Sequence, residues 1–108
     1  MRMRRSLMKS YHLRRRKTGK DSEGGSIVRY EEAVEIKAII WPAGGKVQAE
    51  MYGERLSYIK NMEYGGAEAM QEGDGICVFV GPEAQPDYKI ISIKPEYSPK
   101  VMELERII

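Results

Sequence analysis

The stretch EGDGICVFVGPEAQPDYKIISIKP, residues 72–95, decides the fold class. Its first apolar run, Ile76 to Val80, mixes β-branched and aromatic residues, has two apolar faces and is bounded by Gly75 and Gly81, the mark of a strand covered on both sides. The theme repeats from Tyr88 to Ile93, and GPEAQP between the runs has the length of an ordinary hairpin connection. Working outward, VEIKAIIW (34–41) alternates Val34, Ile36, Ala38 and Ile40 against Glu35 and Lys37, which predicts a half-buried strand stopped by Pro42 and the glycines after it. ERLSYIKNMEY (54–64) places Leu56, Tyr58, Met62 and Tyr64 with Lys60 on one face and Arg55, Ser57 and Asn61 on the other, predicting a second long strand. Between these two, KVQAEMYG (46–53) fits either a short helical turn or an extended excursion. KVMELERII (100–108) reads as a final edge strand, with a short helix as the alternative. Short strands punctuated by Gly and Pro, with hardly any helix, make the chain mainly β and point to a small antiparallel β-barrel or sandwich, the barrel with long inter-strand loops and a basic N-terminal arm being the expected form.

Charge divides the chain. Within residues 1–20 there are nine Lys or Arg and no acid, whereas residues 21–108 hold nine basic and sixteen acidic side chains, so +9 sits on −7 in a chain of net charge +2. The expected arm residues are Arg2, Arg4, Arg5, Lys9, Arg14, Arg15, Arg16, Lys17 and Lys20, a set suited to a polyanion or an acidic protein surface, with a solvated basic tail as the alternative. Met3, Leu7 and Tyr11 would make a narrow apolar stripe if the arm became helical against a partner. An arginine-rich, acid-free beginning also fits an organelle transit peptide, but no cleavage logic follows it. DSEGGS (21–26) has turn composition, so the expected division is an arm and linker over residues 1–26 and a barrel over 27–108.

Length and composition bound the chemistry. A chain of 108 residues reads as one domain near the low end of what buries its own core, and oligomerisation is the remaining source of stability. One cysteine, Cys77, excludes an internal disulfide, and with His12 as the only histidine no zinc spacing exists; no metal or cofactor is expected. No apolar run has the length of a membrane span or a secretory signal, which predicts a soluble protein without a membrane partner. Catalytic schemes find no footing, so the expectation is a non-enzyme: His12 lies in the arm, Cys77 in an apolar strand, and the pairs Glu31/Glu32 and Glu72/Asp74 read as solvated loop acids. The glycines of residues 73–81 match neither a dinucleotide fingerprint nor a P-loop. Trp41 before Pro42 reads equally as a core residue or an interface anchor.

The order IKAIIWPAGGKVQAEMYGERLSYIKNMEY, EGDGICVF, PDYKIISIKP and ELERI, over roughly residues 27–108, resembles the head-completion proteins of tailed bacteriophages and prophages of Gram-positive bacteria, also called head closure proteins or head-tail stoppers. The segments YGERL, EGDGI and DYKIISI carry the likeness, and none is a catalytic signature. The resemblance implies a virion structural protein: a small β-barrel forming a homo-oligomeric ring at the head–tail connector, assembled in the bacterial host cytoplasm. That ring closes the DNA channel after packaging and gives the tail a docking face. Implied partners are other copies of the chain, the portal and adaptor proteins, a tail-completion or tail-terminator protein, and the packaged double-stranded DNA. The long segment after the first predicted strand is then the candidate gate loop, with Pro42, Gly44, Gly45, Lys46, Gln48, Glu50, Tyr52 and Gly53; a plain surface loop is the alternative. Two further expectations stand beside this one: a nucleic-acid-binding barrel of OB or SH3-like type, and a tail-completion or tail-terminator protein.

Overall fold

A computed structural model describes residues 7–20 and 24–107. Six antiparallel strands close into a barrel: β1 (Lys9–Arg14), β4 (Val34–Pro42), β5 (Ile59–Tyr64), β8 (Lys100–Arg106), β7 (Tyr88–Lys94) and β6 (Gly75–Cys77), with β6 pairing back to β1. The remaining two, β2 (Arg16–Lys20) and β3 (Ser26–Tyr30), form a separate two-stranded sheet between β1 and β4. The mainly β, small-barrel fold expected from the sequence is what the chain adopts.

The core follows from strand alternation. Ile36 and Ala38 of β4 point inward while Glu35 and Lys37 are exposed, and they meet Leu13, Met62, Tyr64, Ile76, Tyr88, Ile90, Met102 and Leu104 in one buried cluster. Closure gives every wall strand a neighbour on two sides, with the short β6 pairing only His12–Arg14 of β1 and the first residues of β7.

The division at residue 26 is corrected. Lys9 to Arg14, expected in the arm, are the barrel's first strand: Lys9 pairs with Ala38 and Leu13 with both Val34 and Ile76, and Leu13 is fully buried. Tyr11 accordingly sits on a strand packed against the core, not on a helical stripe. Met3, Arg2, Arg4 and Arg5 lie outside the described residues.

Three other boundaries shift, each for a local reason. The strand expected from residue 54 starts at Ile59, because Gly53–Tyr58 wind into a 3-10 helix. The run expected to continue to Val80 ends at Cys77, because the buried Asp87 carboxylate accepts the N–H groups of Val78 (2.8 Å) and Phe79 (3.0 Å) and turns the chain. Residues 100–106 form no edge; β8 lies between β5 and β7, because closure of the barrel gives it partners on both sides.

Candidate functional site

Two structures outside the barrel core carry the polar and charged side chains that have somewhere to act: a helix lying on the barrel wall, and the β2–β3 hairpin standing at one end.

The expected gate loop is no loop. Lys46–Tyr52 form an α-helix, α1, continued by the 3-10 segment. Gly45 before it and Gly53 after it both have positive φ (86° and 54°), the left-handed backbone that glycine supplies without strain. Pro42 ends β4, the Gly44 N–H donates to Gln48 Oε1 (3.0 Å), and Lys46 and Glu50 are exposed. No residue of α1 is buried. The helix is held instead by a polar latch against the outer face of β5 and β8. Gln48 Nε2 donates to Asn61 Oδ1 (2.7 Å) and to Glu103 Oε2 (2.9 Å), while Asn61 Nδ2 donates back to Gln48 Oε1 at 3.3 Å.

Glu103 is the centre of this latch, 1% exposed in the middle of β8. Burial pushes its carboxyl up, but hydrogen bonds from Gln48, Tyr52 and Ser92 and the nearby Lys94 charge (Nζ at 3.9 Å) outweigh that and hold it below the usual carboxylate range. The same contact works in reverse on Tyr52, whose hydroxyl is pushed up to about 12, first by burial and then by its bond to Glu103, so it stays a donor. One turn on, Arg55 closes the segment on the wall with Nε and Nη2 bonds to Glu105 Oε2 (2.8 and 2.7 Å). The sequence held the acid and the glutamine 55 residues apart, with no pattern linking them.

Outward, α1 shows Val47 and Met51, 70% and 62% exposed. Among the described residues Phe79 is the most exposed large apolar side chain, at 75%, on the turn fixed by Asp87. It belongs to a cation–aromatic group at one barrel mouth. Lys60 Nζ lies 5.4 Å from the Phe79 ring centre and 6.0 Å from that of Tyr88, the two rings meet edge to face at 6.3 Å, and Arg106 stacks on Tyr58 at 4.5 Å. Strand-by-strand reading missed this group because its members come from separate elements. Trp41, one residue before the end of β4, is exposed (38%), so it is not a core residue.

Several expected arm cations act within the molecule. The Arg14 guanidinium donates to the carbonyls of Glu31 (2.8 Å), Ala84 (2.8 Å) and Tyr30 (3.3 Å). Arg15 donates to the Ala69 carbonyl (3.2 Å) and pairs with Glu68 (2.7 Å). The Arg16 N–H donates to Asp74 (2.9 Å), whose other oxygen accepts the Gln71 N–H (2.9 Å). Together with the Glu31 N–H to Arg15 carbonyl bond (2.8 Å), these contacts root the hairpin on the barrel. Arg14 and Arg15 are therefore corrected from members of a separate arm to clamps at its root. Lys9 is exposed on β1, Lys17 is exposed on β2, and Lys20 is the last residue of β2.

Asp74, expected as a loop acid, is buried as this turn's acceptor, while Glu31, Glu32 and Glu72 are exposed. The Cys77 thiol, 2% exposed, is pushed up by burial and by the neighbouring Asp87 charge, which disfavours the thiolate a nucleophile requires. Among the described residues no group of His, Cys, Asp and Glu could hold a metal ion, and no helix is long and apolar enough to cross a membrane. Between the hairpin and β7 runs a groove of about 530 Å³, floored by Ile90 and Ile91 and rimmed by Arg16, Val28, Tyr30 and Ile107. Comparisons with protein-family models, curated proteins and solved structures gave no match.

Proposed function

We propose that this chain is a structural assembly protein whose barrel builds a homo-oligomeric ring at the head–tail connector of a tailed bacteriophage. The ring closes the portal channel after DNA packaging and presents a docking face to the tail. The observation that carries the reading is the apolar surface a closed barrel still leaves in solvent: Phe79, Val47 and Met51 are 75%, 70% and 62% exposed although no wall strand lacks a neighbour. Side chains of this kind, one of them on a hydrogen-bonded turn, are the anchors a subunit contact uses. Because Phe79 and α1 are different patches, contact between them on neighbouring copies is heterologous, the kind of interface from which rings are built when the rotation closes.

The sequence likeness supplies the setting: portal and adaptor proteins above, a tail-completion or tail-terminator protein below, duplex DNA in the channel, and assembly in the host cytoplasm. The segment 42–53 remains the proposed gate, now as a helix with no buried residue of its own, attached to the wall through the hydrogen bonds of Gln48 and Tyr52.

The test is co-sedimentation of the purified protein with tailless, DNA-filled heads that lack it. Saturable attachment with retained DNA is expected from the wild type, and Phe79→Ala should attach poorly while melting normally. Failure of the wild type to attach refutes the reading. The mouth carrying Lys60, Phe79, Tyr88, Arg106 and Tyr58 favours a second reading, a nucleic-acid-binding barrel with aromatic stacking positions. That reading requires single-stranded DNA binding at moderate salt that Phe79→Ala weakens.

A further inference from the structure

The β2–β3 hairpin is a ten-residue ribbon whose strand positions, RKTGK and SIVRY, hold four basic residues and no acid. Its register places Lys17 directly opposite Arg29, and both are exposed. Like charges directly across a strand pair are destabilising, and a two-stranded ribbon has little packing to offset that. Among the described residues, neither side chain has a salt bridge, although four other cations, Arg15, Lys37, Arg55 and Lys94, have acids within 4.0 Å. The next cross-strand pair on that face is Gly19 and Ile27, and an added Cβ at Gly19 would meet nothing within 4 Å. The opposite face, with Arg16, Val28 and Tyr30, borders the groove toward β7, which leaves the Lys17–Arg29 face as the outward one.

We infer that this outward face binds the phosphate backbone of double-stranded nucleic acid, with Lys17 and Arg29 on a shared stretch of phosphates. A chain of phosphates spaced a few ångströms apart supplies the counter-charge that the pair lacks, and each cation that docks releases condensed counterions. The exposure of both cations and the absence of a described aromatic partner for either fit backbone contact rather than base stacking. The inference deepens the connector reading, on which it rests for the source of the duplex, by naming the element that meets the packaged DNA.

The experiment is a salt titration of the full chain binding a short blunt DNA duplex, read by fluorescence anisotropy, for wild type, Lys17→Gln/Arg29→Gln, Lys17→Arg/Arg29→Lys and Arg2→Gln/Arg4→Gln/Arg5→Gln. Each phosphate contact contributes about 0.9 to the slope of log K against log salt, so the first variant should lose about 1.8 of slope. Its affinity change between 50 and 200 mM salt then shrinks by about twelvefold relative to wild type. The charge-preserving exchange should keep the wild-type slope. An unchanged slope in the first variant, or a loss carried by residues 2, 4 and 5 instead, overturns the assignment. Normal duplex binding by the first variant combined with failed attachment to heads would make the occupant an acidic protein and overturn it equally. If the expected slope loss occurs while wild-type protein does not attach to heads, the connector reading fails and the hairpin assignment stands.

Discussion

Replacing Leu13 by alanine separates a barrel strand from a basic arm more sharply than any binding assay. Leu13 is fully buried, faces the core cluster and pairs in register with Val34 on one side and Ile76 on the other. The substitution removes three carbons, worth about 0.8 kcal/mol each in transfer from water, and leaves a cavity whose lining of paired strands cannot collapse freely. The expected loss is about 3–4 kcal/mol, which for a domain of this size lowers Tm by roughly 15–25 °C. With a total stability of about 5–15 kcal/mol the variant should still fold. Urea unfolding followed by Trp41, the only tryptophan, would read it as a lower midpoint at unchanged slope. Leu7→Ala, at a side chain 52% exposed, is the companion and should stay within about 0.5 kcal/mol of wild type. If Leu13→Ala unfolds at the wild-type midpoint, residues 9–14 do not complete the barrel and the corrected domain boundary is wrong.

Other outcomes follow from the latch and the turns. The Glu103 carboxyl is depressed in the folded protein, so its contribution is present above its ordinary range and is lost as pH falls through the folded value. Glu103→Gln should cost about 1.5–3 kcal/mol near pH 7, with a smaller difference from wild type in acid; urea midpoints across an acid series check this. An added Cβ at Gly75 would drive into the buried Pro86 ring, so Gly75→Ala should lose about 1–3 kcal/mol, whereas Gly81→Ala, with open space around it, should be near neutral in the same thermal melts. Arg14→Ala leaves the Glu31, Tyr30 and Ala84 carbonyls without their donor, and faster hydrogen exchange should appear at the hairpin root near Glu31 while the core amides keep their protection.

Legibility in the sequence tracked how each element is buried. β4 was plain because its two faces meet different solvents: Ile36 and Ala38 the core, Glu35 and Lys37 water. β1 was hidden because its inward residues, Tyr11 and Leu13, stand among cations, and charge reads as solvation unless the carbonyls that receive the Arg14 guanidinium are known. α1 has no apolar face toward the barrel, so no helical period exists to be found; Gln48 and Tyr52 attach it through hydrogen bonds. The same network made β8 look like an edge, since a glutamate at its centre suggests water where the fold places a buried carboxylate. Of the candidate positions, segment 42–53 is legible from its glycines and the basic residues from their density. The Lys17–Arg29 apposition is not, because register across a hairpin is fixed by its turn and not by its composition.

The order in which the barrel wall is laid down has a cost in time. β1 leaves the ribosome first, yet one of its two neighbours, β6, ends at residue 77, more than sixty positions later. At about 5–20 residues per second, the first strand waits on the order of 3–13 s with that side unpaired. Through this interval the nascent chain carries a bare β-edge, which β6 then covers at His12–Arg14, and each copy passes through that vulnerable stage before it has a closed wall to offer a neighbour.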